Sequence, residues 1–190
     1  MENGRSLAEY VPGMVVRVND KMQKGYIYTL EAPVGEDFDE KFEPYLTPQQ
    51  MLEMGVFEGK YLNDCRGEYP REWYARAKTL QRADPRQNCF GVKSRQSLQE
   101  WKRKGWIPLV QEDPDIRGWF QWYCRYYLGR RNPAVDKTQI ARWRSFARHR
   151  GQVLASYKRM EHPPTTINEK LKHRPRQRQA LLQWAYNPWV

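Results

Sequence analysis

The segment "GWFQWYCRYYLGRR", residues 118–131, carries two Trp, three Tyr, one Phe, one Cys and three Arg in fourteen positions. On a helical wheel Ile116, Trp119, Phe120, Tyr123 and Tyr127 recur at the i, i+3, i+4 spacing of one apolar face. Trp122 and Tyr126 form a second stripe beside it, and Gln121, Arg125 and Leu128 take the remaining side. A band this wide has two readings. Either the helix is central and buried nearly all round, with Arg125 in an ion pair, or the second stripe meets a ligand. In the second case Trp122 or Tyr126 stacks on a nucleobase while arginines hold phosphates.

Working outward, the same helical grammar recurs. In "LTPQQMLEMGVF" Thr47 is an N-cap, Pro48 takes the first helical position, Gln50 completes a capping box and Gly55 stops the helix. In "SLQEWKRKGW" Ser97 caps, Glu100 closes the box and Gly105 stops. Further helices are expected from about Pro70 to Lys78, from Asp136 (as N-cap) to Tyr157 with Gly151 as a weak point, and from about Arg174 to Tyr186. "HPPTTINEKLKH" reads as a linker with two prolines. Upstream, Met14 to Val18 and Tyr26 to Leu30 are β-branched or aromatic runs separated by Asn, Asp, Lys and Gly, which reads as a β-hairpin. A lone hairpin is marginal and must pack on the helices. "EAPVGEDFDEKFEPY" is an acidic, Pro-bounded surface loop that Phe38, Phe42 and Tyr45 can pin to the body. The fold class is therefore mainly α, a compact domain of about six helices with an N-terminal β-hairpin. Residues 1–12 are a flexible arm and 13–190 a single domain, with 13–70 an acidic portion and 71–190 a basic helical one.

Charge carries the first functional clue. The 190 residues have a formal net charge of +11. Residues 1–70 hold 13 acids and 7 bases, a net of −6, and residues 71–190 hold 9 acids and 26 bases, a net of +17. Such a field concentrates polyanions, and nucleic acid is the commonest partner of a basic patch. The competing readings are a solvated surface, neutralisation by the acidic N-terminal third, or an acidic protein partner. On the nucleic-acid reading the interface spans residues 93–178, with Lys102, Arg103, Lys104, Arg125, Arg130, Arg131, Arg142, Arg144, Arg148, Arg174, Arg176 and Arg178 on phosphates. Trp122 or Tyr126 stacks if exposed. Gln177 and Gln179 can read a base edge or bridge helices.

No GxGxxG, P-loop, HExxH or GxSxG pattern occurs. Candidate catalytic groups are Asp64, Asp115, Asp136 and His149, each with a plainer role as a loop, turn, cap or surface residue. Cys65 lies beside Arg66 in "NDCRGEYP", a neighbour that can lower a thiol pKa. Cys65, Cys89 and Cys124 are odd in number and widely spaced, which argues against a disulfide framework or a zinc site. No metal and no cofactor are expected. With no run of eighteen apolar residues and no signal-peptide pattern, the expected location is cytoplasmic or nuclear/nucleoid, away from membranes and not secreted.

The strings "LTPQQMLEMGVFEGKYLNDC", "GWFQWYCRYYLGRR" and "RQRQALLQWAY" resemble a family of small uncharacterised proteins over most of residues 26–187. The resemblance implies a folded single domain and transfers no activity, cofactor or site. The leading expectation is a DNA- or RNA-binding protein. The alternatives are a nucleobase-modifying or repair enzyme using the same surface and a pocket for a flipped base, and a structural subunit of a ribonucleoprotein or viral assembly.

Overall fold

The computed structural model describes residues 4–93, 98–105 and 114–190. Among them the chain forms one antiparallel hairpin, β1 (Val15–Asn19) and β2 (Lys24–Thr29), and seven α-helices. These are α1 (Pro48–Met54), α2 (Leu98–Arg103), α3 (Trp119–Tyr127), α4 (Pro133–Ser145), α5 (Ala147–Tyr157), α6 (Ile167–Lys172) and α7 (Pro175–Gln183). The mainly helical class with an N-terminal hairpin is the fold observed.

Helix α3 is the centre. Of its nine residues only Tyr127 is not fully buried, so the first reading of the aromatic band holds: the helix is enclosed nearly all round. Phe42, from the acidic loop, is the hub. Its ring packs edge-on against Trp122, Tyr123, Tyr126 and Trp143 with centroids 4.9–5.6 Å away. Edge-to-face pairs at such distances add roughly 0.5–1.5 kcal/mol each beyond their area burial. Phe38 is half-buried beside it, whereas Tyr45 is exposed and docks through its backbone N–H on Ala185 O.

The hairpin seals one side of this core. Val16, Val18 and Tyr28 face inward, and the turn is held by Asp20 Oδ1, which accepts from the amides of Met22 and Gln23. Leu30 bridges to Arg130, and the amides of Glu31 and Ala32 donate to Gly129 O. Gly129 sits at φ 108°, and a Cβ there would lie 2.0 Å from Ala32 O. Only glycine permits that approach, so this residue welds the end of α3 to the chain leaving the hairpin.

Four expectations are corrected. The arm at residues 1–12 is not loose over its described part: Gly4 packs on Tyr69 O, Ser6 and Leu7 donate to Glu72, and buried Tyr10 donates its hydroxyl to Glu68 O. The helix expected from Pro70 to Lys78 shrinks to a 3-10 turn, Arg71–Tyr74, because the amides of Lys78 and Leu80 pair instead with Leu52 O and Gly59 O. The single helix expected from Asp136 starts earlier, with Asn132 as N-cap and Pro133 at N1, and breaks at Phe146. The proline-bounded linker contains α6, which Thr166 and Glu169 close with a capping box. The α1 grammar is as expected, with Thr47, Gln50 and left-handed Gly55 in their assigned roles. Ser97 lies outside the described residues.

Candidate nucleic-acid interface

Several of the nominated arginines are structural. Arg125 is 0% exposed and donates all five of its N–H groups: to Glu68 at 2.5 and 3.1 Å, to Asp115 at 3.1 Å, to Gln23 at 2.8 Å and to Pro114 O. Its plane lies over the Tyr26 ring at 4.8 Å. Arg130 grips Asp115 through two bonds of 2.8 and 2.6 Å. Arg117, which was not nominated, bridges Asp20 and Asp64 at the hairpin turn. Three guanidiniums and four carboxylates thus form two neighbouring groups, Arg117 with Asp20 and Asp64, and a buried lattice of Arg125 and Arg130 with Glu68 and Asp115 that also reaches the hairpin turn through Gln23. Burial alone would depress the Arg125 pKa, but the carboxylates of Glu68 and Asp115 reverse this and hold it well above the usual value. For Asp20, burial pushes the carboxyl up, and hydrogen bonds from Arg117 and the turn amides outweigh it, leaving a net lowering.

Arg178 is likewise buried, donating to His173 O, Pro188 O and the Tyr157 hydroxyl. Arg131 stacks over Tyr126 at 4.1 Å and directs its terminal nitrogens at the carbonyls of Tyr126, Arg130, Glu36 and Asp37. Arg103 and Lys104 pair with Glu100, and the side chain of Lys102 lies outside the described residues. Arg142 reaches Gln139. Arg174 is half-buried in a left-handed conformation before α7. Phosphate roles for Arg125, Arg130 and Arg178 fall with their burial, and Arg131 commits its terminal nitrogens to backbone carbonyls. The base-reading role of Gln179 falls too, since it is buried and donates to Val56 O. The stacking candidates fall for the same reason: Trp122 is 0% and Tyr126 3% exposed.

What stays open to solvent is the surface of α4 to α7. Residues 133–190 carry 12 basic side chains against 3 acidic ones. Arg144, Arg148 and Arg176 are exposed as nominated, and Lys137, Arg150, Lys158 and Arg159 join them. Of the acids, Asp136 is buried, with its oxygens accepting from Trp122 Nε1 at 2.8 Å and the Asn132 amide at 2.7 Å. Burial raises its pKa despite those bonds. Among the described residues no ion pair closes on Lys137, Arg144, Arg148 or Arg150. The acidic loop faces α4 across a groove without an ion pair to Lys137 or Arg144 among the described residues, and offers Arg131 its backbone carbonyls. Lys137, Arg150, Lys158 and Arg159 carry no pattern in the sequence that separates them from the engaged cations; only their exposure does.

The catalytic candidates are not brought together. Asp115 is sealed between two arginines, and Asp64 is tied to Arg117 at the rim of a separate groove. Asp136 is bonded as above. His149 lies 3.3 Å from Gln152 Oε1 and against the Phe146 ring; burial first, then Arg148, lowers its pKa. Cys65 is buried, and burial pushes its thiol up, the reverse of the lowering expected beside Arg66. Its sulfur and oxygens of Asp20 and Glu68 lie within 4.8 Å of one another, a spacing that could hold a metal ion. Both carboxylates already accept from arginine, so the residues suit an ion-pair lattice better than a cation.

Two grooves flank the core. One, of about 680 Å³, runs between the hairpin turn and the 64–68 loop. The other, of about 590 Å³, lies between the 37–41 loop and α4. No described helix is long and apolar enough to cross a membrane. Fold and surface together define a mainly helical protein with an N-terminal hairpin and a cationic helical face. No protein-family model, curated protein or solved structure matches this chain.

Proposed function

We propose that the protein binds nucleic acid by neutralising phosphates with Lys137, Arg144, Arg148 and Arg150 on α4 and α5, extended by Lys158, Arg159 and Arg176. The observation that carries this reading is the exposure of these seven cations, with no ion pair on any of them among the described residues. Exposed cations in excess on the packed helices α4, α5 and α7 concentrate polyanions around them. The buried aromatics and the engaged arginines leave backbone contact, rather than side-chain stacking by α3, as the mode of binding. A nucleobase-modifying activity has less support: of the candidate catalytic acids that line a groove, Asp136 has its oxygens held by Trp122 and Asn132, and Asp64 is tied to Arg117.

The test is a salt titration of binding to labelled double-stranded DNA and RNA. Contacts from the four helix cations predict that log K falls with log salt on a slope of roughly −3 to −4 for B-DNA, at about −0.9 per phosphate. Binding that ignores salt, or its absence at low salt, would remove the proposal and leave an acidic protein or a larger assembly as the partner of this face.

A further inference from the structure

We infer that the groove between the 37–41 loop and α4 is a slot for one unpaired nucleotide of a single strand. This rests on the phosphate-binding reading above and goes beyond it by naming the form of nucleic acid. The groove is built with three different surfaces. Its floor is apolar: Phe38, Ile140 and Ala141, together with Tyr126. One wall carries Lys137 and Arg144 from α4, both exposed. The opposite wall carries Asp37 and Asp39, with Lys41 at its end, whose amide donates to Asp39 Oδ1 at 2.8 Å.

That order of charges selects its occupant. A free phosphate would have no use for the floor and would meet carboxylates across it. A nucleotide fits all three surfaces: its phosphodiester on Lys137 and Arg144, its base flat on the floor, its amino or ring N–H groups toward the carboxylates. A base already paired in a duplex has those groups occupied and cannot turn them to the loop. Phe38 supplies the ring. It is half-buried and stacked on Tyr126 at 5.6 Å, so its inner face is braced while the side chain still lines the groove. The stacking role read for Trp122 or Tyr126 thus passes to Phe38, one layer further out.

The wall opposite α4 is held in place. Arg131 clamps Glu36 O and Asp37 O while stacked on Tyr126, and the Tyr126 hydroxyl accepts from the Asp39 amide at 2.9 Å. Asp37 is kept at φ 52°, a left-handed conformation uncommon outside glycine. A volume of about 590 Å³ falls within the usual range for ligand sites.

The experiment compares one mixed-sequence oligonucleotide, as a single strand of DNA, a single strand of RNA and a DNA duplex, at one fixed salt. Two variants are used. Ala141→Leu fills the groove from an exposed helical position without adding charge or a ring, and Phe38→Leu keeps apolar bulk but removes the stacking face. The wild type is expected to prefer either single strand over the duplex. Each variant is expected to weaken single-strand binding about tenfold, the scale of one lost base stack, while duplex affinity stays within about twofold. Salt-dependent binding with no single-strand preference, or a preference that survives Ala141→Leu, would overturn the slot and leave the phosphate reading standing. No binding of any probe would overturn both.

Discussion

Asp115→Ala is expected to destabilise the protein by about 3–5 kcal/mol, the largest loss of any single substitution outside the aromatic core. Asp115 is fully buried and bonds two guanidiniums, Arg125 and Arg130. Its removal leaves buried Arg130 with no carboxylate among the described residues, and an unpaired buried charge costs far more than an intact pair contributes. Arg125 keeps Glu68, which limits the damage to one side of the lattice. Asp115→Asn should fall in between, since it preserves shape and loses charge. Urea unfolding of the two variants checks the order; an Asp115→Ala protein as stable as wild type would mean that the lattice does not hold the hairpin to α3.

Trp122→Ala is expected to cost a similar 3–5 kcal/mol, the usual range for truncating a buried aromatic. The ring is enclosed by Phe42, Trp119 and Tyr126, and its Nε1 donates to Asp136. The substitution therefore opens a cavity and also takes a donor from a buried carboxylate. Trp122→Phe retains most of the packing and should lose less. Thermal or urea unfolding separates these effects. A Trp122→Ala protein that kept its stability but lost affinity for single strands would return the stacking role to α3.

The sequence was legible where the causes are local. Thr47, Pro48, Gln50 and Gly55 write the whole of α1 within nine residues, and the structure reads them the same way. The same signal stands at Thr166 and Glu169, where Pro163 and Pro164 read as a linker, yet prolines before an N-cap do not hinder a helix that starts after it. The breadth of the aromatic band in α3 pointed correctly to two possible burials. Choosing between them needed Phe42, which arrives from a loop about eighty residues earlier and has no periodic signature.

Charge was the harder quantity. A segment total treats Arg125 and Arg148 alike, although one is locked to Glu68 from 57 positions away and the other is exposed. Likewise Asp20, Glu68 and Asp115 serve the interior while the acids of residues 36–43 stay outside. Helical spacing places a residue on a side of its own helix. It does not say what packs there, and that decides whether an arginine is a strut or part of a surface.

The central claim is that phosphates are bound by α4 and α5 specifically, and charge reversal at matched sites tests it most directly. Arg144→Glu with Arg148→Glu should lower the magnitude of the log K against log salt slope by roughly 2, one unit per lost phosphate contact. Arg76→Glu, at an exposed arginine paired with Glu53 beside α1, should leave that slope unchanged. An unchanged slope in the double variant, or an equal fall for Arg76→Glu, would contradict the account, because net charge rather than this helical face would then govern binding.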